Sequence, residues 1–234
     1  MKIELFTFVY NDEDLLPFFL RHYAPIVDNM TFIDSGSTDK TLDLIKAHKV
    51  IQTGLTWWDW DKLHEIRNNI WKQSNYDLVF FPDLDEFLYR QNLREFLEKN
   101  TYDIYQMEGF QMVSESFPKP DTDILSINLG VPMPLYNKYV VFNPKADFSF
   151  PDAHNIKTTS DNISRFAIKL LHYQHLGVEN MLKRTELIKK RVPSDSYTIH
   201  IRGNILDIFP HFVRYREECT ANIKQLLLKA IKVI

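Results

Sequence analysis

Along residues 1–90 the spacing of apolar positions switches repeatedly between two periods. Residues 3–10 (IELFTFVY) form a β-rich apolar run that ends at the polar NDED. The segment 13–23 (EDLLPFFLRHY) then takes up helical spacing, with Pro17 early enough for a first turn. The alternation repeats. A strand is predicted at 30–34 (MTFID), followed by a turn at Gly36, a cap from Ser37 or Thr38, and a helical face begun by Leu42, Leu44 and Ile45. A short strand at 50–53 precedes a helix over 61–74, with apolar residues at 63, 66 and 70. The run 76–81 (YDLVFF) is apolar throughout, as expected of a strand buried on both faces. Alternating strands and helices predict parallel strands with right-handed crossovers.

The later pattern is less regular. A short helix is expected at 93–100, strands at 102–117, 136–142 and 165–175, an excursion loop at 118–134, and mostly helix from 177 onward. The fold class is therefore α/β, a Rossmann-type, mostly parallel sheet flanked by helices with a helical C-terminal extension. Its expected division is a domain over 1–176, with halves 1–90 and 91–176, followed by 177–234.

In open parallel sheets, ligands bind at the carboxyl ends of the strands. Three polar clusters fall at that edge: NDED after the first strand, DSGSTD after the second, and PDLDE after the fourth. Asp83 and Asp85 lie two positions apart, so in an extended backbone both project to one side. Beside a nucleotide-sized cleft, such a pair suits Mg²⁺ or Mn²⁺, whose other ligands would be diphosphate oxygens. A solvated acidic turn is the alternative.

Together the segments VYNDEDLLPFFLRHY, FIDSGSTDKTL, EIRNN and FFPDLDEFL resemble the family 2-type glycosyltransferases with the GT-A fold, across roughly residues 3–90. RFAIKLLHYQHLG is similar to the strand in which related transferases place a metal-binding histidine. The resemblance implies transfer of a sugar from a nucleotide-sugar donor, UDP-linked as a first expectation, to an acceptor hydroxyl. It implies inversion, a divalent metal, and a place in surface polysaccharide or glycoconjugate synthesis. Position by position, it makes Asp83, Asp85 and His172 the metal site, with Asp83 also facing the diphosphate. Asp34, Tyr10 and Asn11 would meet the nucleoside, and Arg67 would help hold the donor. Alternatives are a pair of Arg67 with Glu65 or Asp61, and helix capping by Asn11 or Asp39.

The family's acidic pair for the acceptor base has no clear copy, since the glutamates at 217–218 come too late. Asp152 (in FPDAHN) and Glu108 (in QMEGF) are the substitutes expected to be catalytic. The aromatic stretch 107–155 is expected to form the acceptor wall. His154 lies within it, while His48, His64, His200 and His211 are read as structural.

Composition narrows the classes. A net charge of −3 argues against nucleic acid as a partner, and the single cysteine, Cys219, excludes an internal disulfide and suits a reducing, cytoplasmic setting. Neither a signal peptide nor a membrane-spanning run is legible. The amphipathic tail 221–234 suits packing on its own domain or on a second copy as a homodimer, with peripheral contact to the inner membrane face and a lipid-linked acceptor as the other reading. A nucleotidyltransferase would share the paired carboxylates but wants a Gly-rich basic loop where VYNDED stands. A phosphohydrolase would want its acidic motif after an early strand. A non-catalytic nucleotide-sugar-binding module is the third alternative.

Overall fold

Pro17 begins the first helix and apolar runs become strands as their spacing requires. The computed structural model describes residues 1–55, 59–152, 154–191 and 216–234. The chain forms two compact units. The first comprises residues 1–54, 60–111 and 132–173; the second comprises 55–59, 112–131 and 174–234.

In the first unit, β1 (Ile3–Val9), β2 (Asn29–Asp34), β3 (Lys49–Gln52) and β4 (Leu78–Phe80) are parallel in the order β3-β2-β1-β4. The chain steps outward from β1 to β3 and then returns to the other side of β1. The direction of winding therefore reverses between β1 and β4, which is where such sheets open a crevice. Beyond β4 the sheet turns antiparallel. The short β8 (Val141–Phe142) lies between β4 and β6 (Ile104–Ser114), with Phe142 opposite both Val79 and Ile104. β5 (Glu86–Tyr89) pairs antiparallel with β11 (Ile163–Leu176), bringing His172 opposite Glu86. A separate ribbon joins β9 (Phe148–Ser149) to β10 (Lys157–Thr158).

α1 (Leu16–Tyr23) holds Pro17 in its first turn and buries Leu16, Phe18, Phe19 and Tyr23. The Tyr23 hydroxyl donates to the Glu86 carbonyl and accepts from Leu88 N–H, which ties this helix to β5 with no buried polar group left over. α2 (Thr41–Ile45), α3 (Trp60–Asn69) and α4 (Leu93–Lys99) complete the unit. The core packs Phe6, Ile33, Trp71, Val79, Phe81, Phe142, Phe148 and Phe150, with Trp71 stacked on Phe148 at 4.7 Å. Many of the described aromatic residues therefore serve the core.

Three local expectations are corrected. Neither Ser37 nor Thr38 caps α2; the N-cap is Lys40, without a side-chain bond, and the two hydroxyls are engaged by Asn11 instead. The strand expected over 136–142 shrinks to β8. Pro134 starts a 3-10 turn through Tyr136, and the following residues bond irregularly, Met107 N–H to Lys138 O and Phe81 N–H to Val140 O. The tail is not helical to its end.

In the second unit, α5 (Val178–Lys189) and α6 (Arg216–Lys229) pack together. Cys219, Ile223 and Leu226 meet Val113 and Met181 in a separate apolar cluster, so the amphipathic tail serves a core. After α6 the chain forms β12 (Ile231–Lys232), antiparallel to β7 (Leu129–Pro132). No helix among the described residues is long and apolar enough to cross a membrane.

Candidate active site

The loops after β1 and β2 hold one another through short polar side chains. Val9 lies opposite Asp34 in register, so both loops leave the sheet at the same level. Asn11 adopts a left-handed backbone (φ 51°), which asparagine tolerates better than most residues. Its Oδ1 accepts from Thr38 N–H (2.7 Å) and Asp39 N–H (3.2 Å), and its own N–H donates to Ser37 Oγ (3.0 Å). Asp12 accepts from Tyr10 N–H, and Asp39 accepts from Glu13 N–H and Thr41 N–H. Fully buried Asp34 accepts from Gly36 N–H (3.0 Å) and Ser37 N–H (3.2 Å). Gly36, at φ 89°, makes the reversal that brings those N–H groups back onto the carboxylate. Asp34, Tyr10 and Asn11 thus belong to one braced edge. Asn11 bridges two loops and is not a helix cap.

The turn after β4 is held by charge. Arg67, from the buried face of α3, places Nη2 2.5 Å from Asp83 Oδ1, and its guanidinium lies 4.9 Å from the Phe81 ring centre. Lys138 Nζ lies 2.8 Å from Asp83 Oδ2 and 2.5 Å from Glu86 Oε1, while Glu86 Oε2 accepts from Asp83 N–H. Arg67 therefore reaches a carboxylate sixteen positions on, rather than Glu65 or Asp61. Burial opposes the charge on Asp83, but Lys138 and Arg67 outweigh it and hold the carboxyl well below its ordinary value. For Glu86, burial dominates and raises the carboxyl, with Lys138 offsetting part of the shift. Burial would lower Lys138, yet Asp83 and Glu86 together raise its ammonium.

Asp85 faces His172, with Oδ1 3.5 Å from Nε2. Gln111 fixes the histidine's tautomer. Its Nε2 donates to the His172 carbonyl (2.9 Å), an atom that can only accept, so its Oε1 must be the group facing His172 Nδ1 at 3.0 Å. Nδ1 therefore carries the hydrogen, and in the neutral ring Nε2 directs a lone pair toward Asp85. A divalent ion beside them would take both lone pairs. The Tyr136 ring packs at a tilt against that of His172, 4.2 Å between ring centres. Its turn can press against β6 only because residue 109 is glycine, where a Cβ would sit 2.4 Å from the Tyr136 carbonyl carbon.

Asp85 and His172 fit a divalent ion as two of its ligands. The Asp83 carboxylate is directed at Arg67 and Lys138, and no group of three histidine, cysteine or acidic side chains gathers as a metal shell among the described residues. Asp152 lies in an exposed turn, where Oδ1 accepts from His154 N–H (2.8 Å) and Asn155 N–H (2.9 Å), and Oδ2 from Asn155 Nδ2 (2.9 Å). These bonds hold its carboxyl below the ordinary value, despite the opposing effect of burial. Glu108 is half-buried on β6, three positions from Gln111, so strand alternation directs it to the face opposite His172.

Sequence reading assigned no role to Lys138, Glu86 or Gln111. The signal for Lys138 was a lysine inside the strand-like YNKYVVF. Gln111 gave none, because its partner is 61 positions away.

No family model and no curated protein matches the chain. Among solved structures, TarS 1–349 of S. aureus is similar over 95% of this chain and 79% of its own, with a TM-score of 0.51 and 16% identity. Glucosyl-3-phosphoglycerate synthase from Mycobacterium tuberculosis, solved with Mn²⁺, UDP and glucosyl-3-phosphoglycerate, aligns over 82% of this chain and 81% of its own, with a TM-score of 0.44 and 17% identity. The β3-β2-β1-β4 sheet with its helices and antiparallel continuation, matched along nearly the whole chain to TarS, establishes the GT-A fold.

Proposed function

We propose that this chain is a metal-dependent glycosyltransferase that moves a sugar from a nucleotide-sugar donor to an acceptor hydroxyl with inversion. The observation that carries the reading is the charged turn 83–86. At the reversal point of a GT-A sheet it joins two cations, Arg67 and Lys138, to the Asp85–His172 pair. The donor base and ribose lie against the braced Asn11–Asp34 edge. Its diphosphate lies toward Arg67 and Lys138, which can exchange Asp83 for phosphate oxygens as charge develops. Asp85 and His172 hold the divalent ion, with Asp83 next to it. An imidazole ligand favours Mn²⁺ over the strictly oxygen-seeking Mg²⁺. When bound, the ion neutralises the departing nucleoside diphosphate. UDP is the first donor to test, and the part of the aromatic stretch that lies in the first unit, residues 107–111 and 132–155, supplies the acceptor side.

A melting-temperature screen of UDP, GDP, CMP and dTDP, each with and without Mn²⁺, tests the donor, since a ligand of the native state alone stabilises it. One diphosphate should raise the midpoint only when Mn²⁺ is present. Asp85→Asn should abolish donor turnover and leave the urea midpoint nearly unchanged. His172→Ala should weaken Mn²⁺ binding by about tenfold or more. Full turnover in EDTA overturns the metal assignment.

A further inference from the structure

Sequence reading chose Asp152 as the acceptor base, but its turn spends that carboxylate on holding backbone. Both oxygens accept hydrogen bonds from residues 154 and 155, which lowers its affinity for a proton. Those bonds fix the main chain of His154. A second bond fixes its ring: Nδ1 lies 2.7 Å from the Leu135 carbonyl. A carbonyl only accepts, so Nδ1 carries the hydrogen and the neutral ring leaves its lone pair on Nε2. Among the described residues, Nε2 makes no hydrogen bond or ion pair.

The segment is anchored to the charged turn. Phe150 is held on both sides of its main chain by Asn68, at 2.8 and 2.9 Å, and its ring lies 6.0 Å from the same Arg67 guanidinium that grips Asp83. The charged groups acting on His154 are Lys138, Asp83 and Asp152. Partial burial and the Lys138 charge favour the neutral ring, against the Leu135 hydrogen bond and the two carboxylates. The ring is an oriented imidazole close enough to Lys138 and Asp83 to feel their charges.

We infer that His154, through Nε2, takes the proton of the acceptor hydroxyl, and that Asp152 is the positioning residue that holds it. This rests on the glycosyltransferase reading above. As the O–H bond breaks, its proton passes to Nε2 and the oxygen forms the new bond to the anomeric carbon. The bond from that carbon to the diphosphate oxygen breaks, and its electron pair leaves with the nucleoside diphosphate, whose charge Arg67 and Lys138 meet.

The test uses whichever of UDP-glucose, UDP-N-acetylglucosamine and GDP-mannose raises the melting temperature most with Mn²⁺, and follows release of the nucleoside diphosphate with water as acceptor from pH 5 to 9. The base works deprotonated, so the wild-type rate should fall as pH drops through a value below the ordinary histidine pKa of about 6.5. His154→Gln should cut release by about 10²-fold, leave the donor-induced melting shift unchanged, and abolish that acidic limb. Asp152→Asn should lower the rate less and retain the limb. An intact limb in His154→Gln, or its loss only in Asp152→Asn, overturns the assignment. So does a long-range ¹H–¹⁵N spectrum of the wild type showing the Nε2–H tautomer. If none of the three donors binds or turns over, the glycosyltransferase reading falls and this inference falls with it.

Discussion

The two halves of the edge at the carboxyl ends of the strands are built by different means. The 10–13 and 34–41 loops are braced by main-chain N–H groups donating to Asn11, Asp12, Asp34 and Asp39. The 83–86 turn is braced by two cations on carboxylates, and both cations come from far along the chain. An edge braced by main-chain donors on fixed side chains holds its shape without a mobile cation. A cation pair held by Asp83 can change partner. The difference also sets the energetics: many modest bonds on one side, a few high-stakes charges on the other.

Removing Lys138 breaks the contrast most sharply. Lys138→Met leaves buried Glu86 without its cation, and stability should fall by about 3–5 kcal/mol at neutral pH, read from urea unfolding. Glu86 can relieve the strain by taking a proton, since its folded pKa is already raised. A raised pKa adds stability at low pH that is lost as pH rises, so the variant's deficit should grow between pH 5 and 8. A deficit independent of pH would show that Glu86 is not the group left unpaired.

The other edge should yield less. Asn11→Ala loses the side-chain bonds to Thr38 and Asp39 of the facing loop and keeps an unfavourable positive φ, for about 1–2 kcal/mol. Asn11→Gly should recover the backbone part alone. A loss as large as that of Lys138→Met would erase the distinction between the edges.

The smallest effect is the acid limb of wild-type stability. Asp28, which accepts from Ile3 N–H and pairs with Arg94, and Asp83 both have lowered pKa values. A lowered carboxyl adds stability above its unfolded value that is lost as pH falls through the folded one, so stability should begin to drop below about pH 4. Asp28→Asn should remove less than about 1 kcal/mol of it, because the Arg94 pair is solvent-screened.

The alternation of apolar spacing in residues 3–81 was enough to predict four parallel strands with their helices, and which polar clusters would meet at one edge. Those features depend on local period and on the fixed hand of crossovers, which neighbouring residues encode. The acidic turn was legible from its spacing, whereas the histidine beside it was expected only from the resemblance to a family. Which carboxylate meets which charge was decided only by the tertiary structure. Lys138 reaches Asp83 across 55 positions because an irregular 3-10 turn interrupts the predicted strand, and that turn packs only where Gly109 leaves room. His172 gains its tautomer from Gln111, and Asp152 gives up its oxygens to its own turn. Long-range electrostatics depend on separation in space, and separation along the chain does not reveal it.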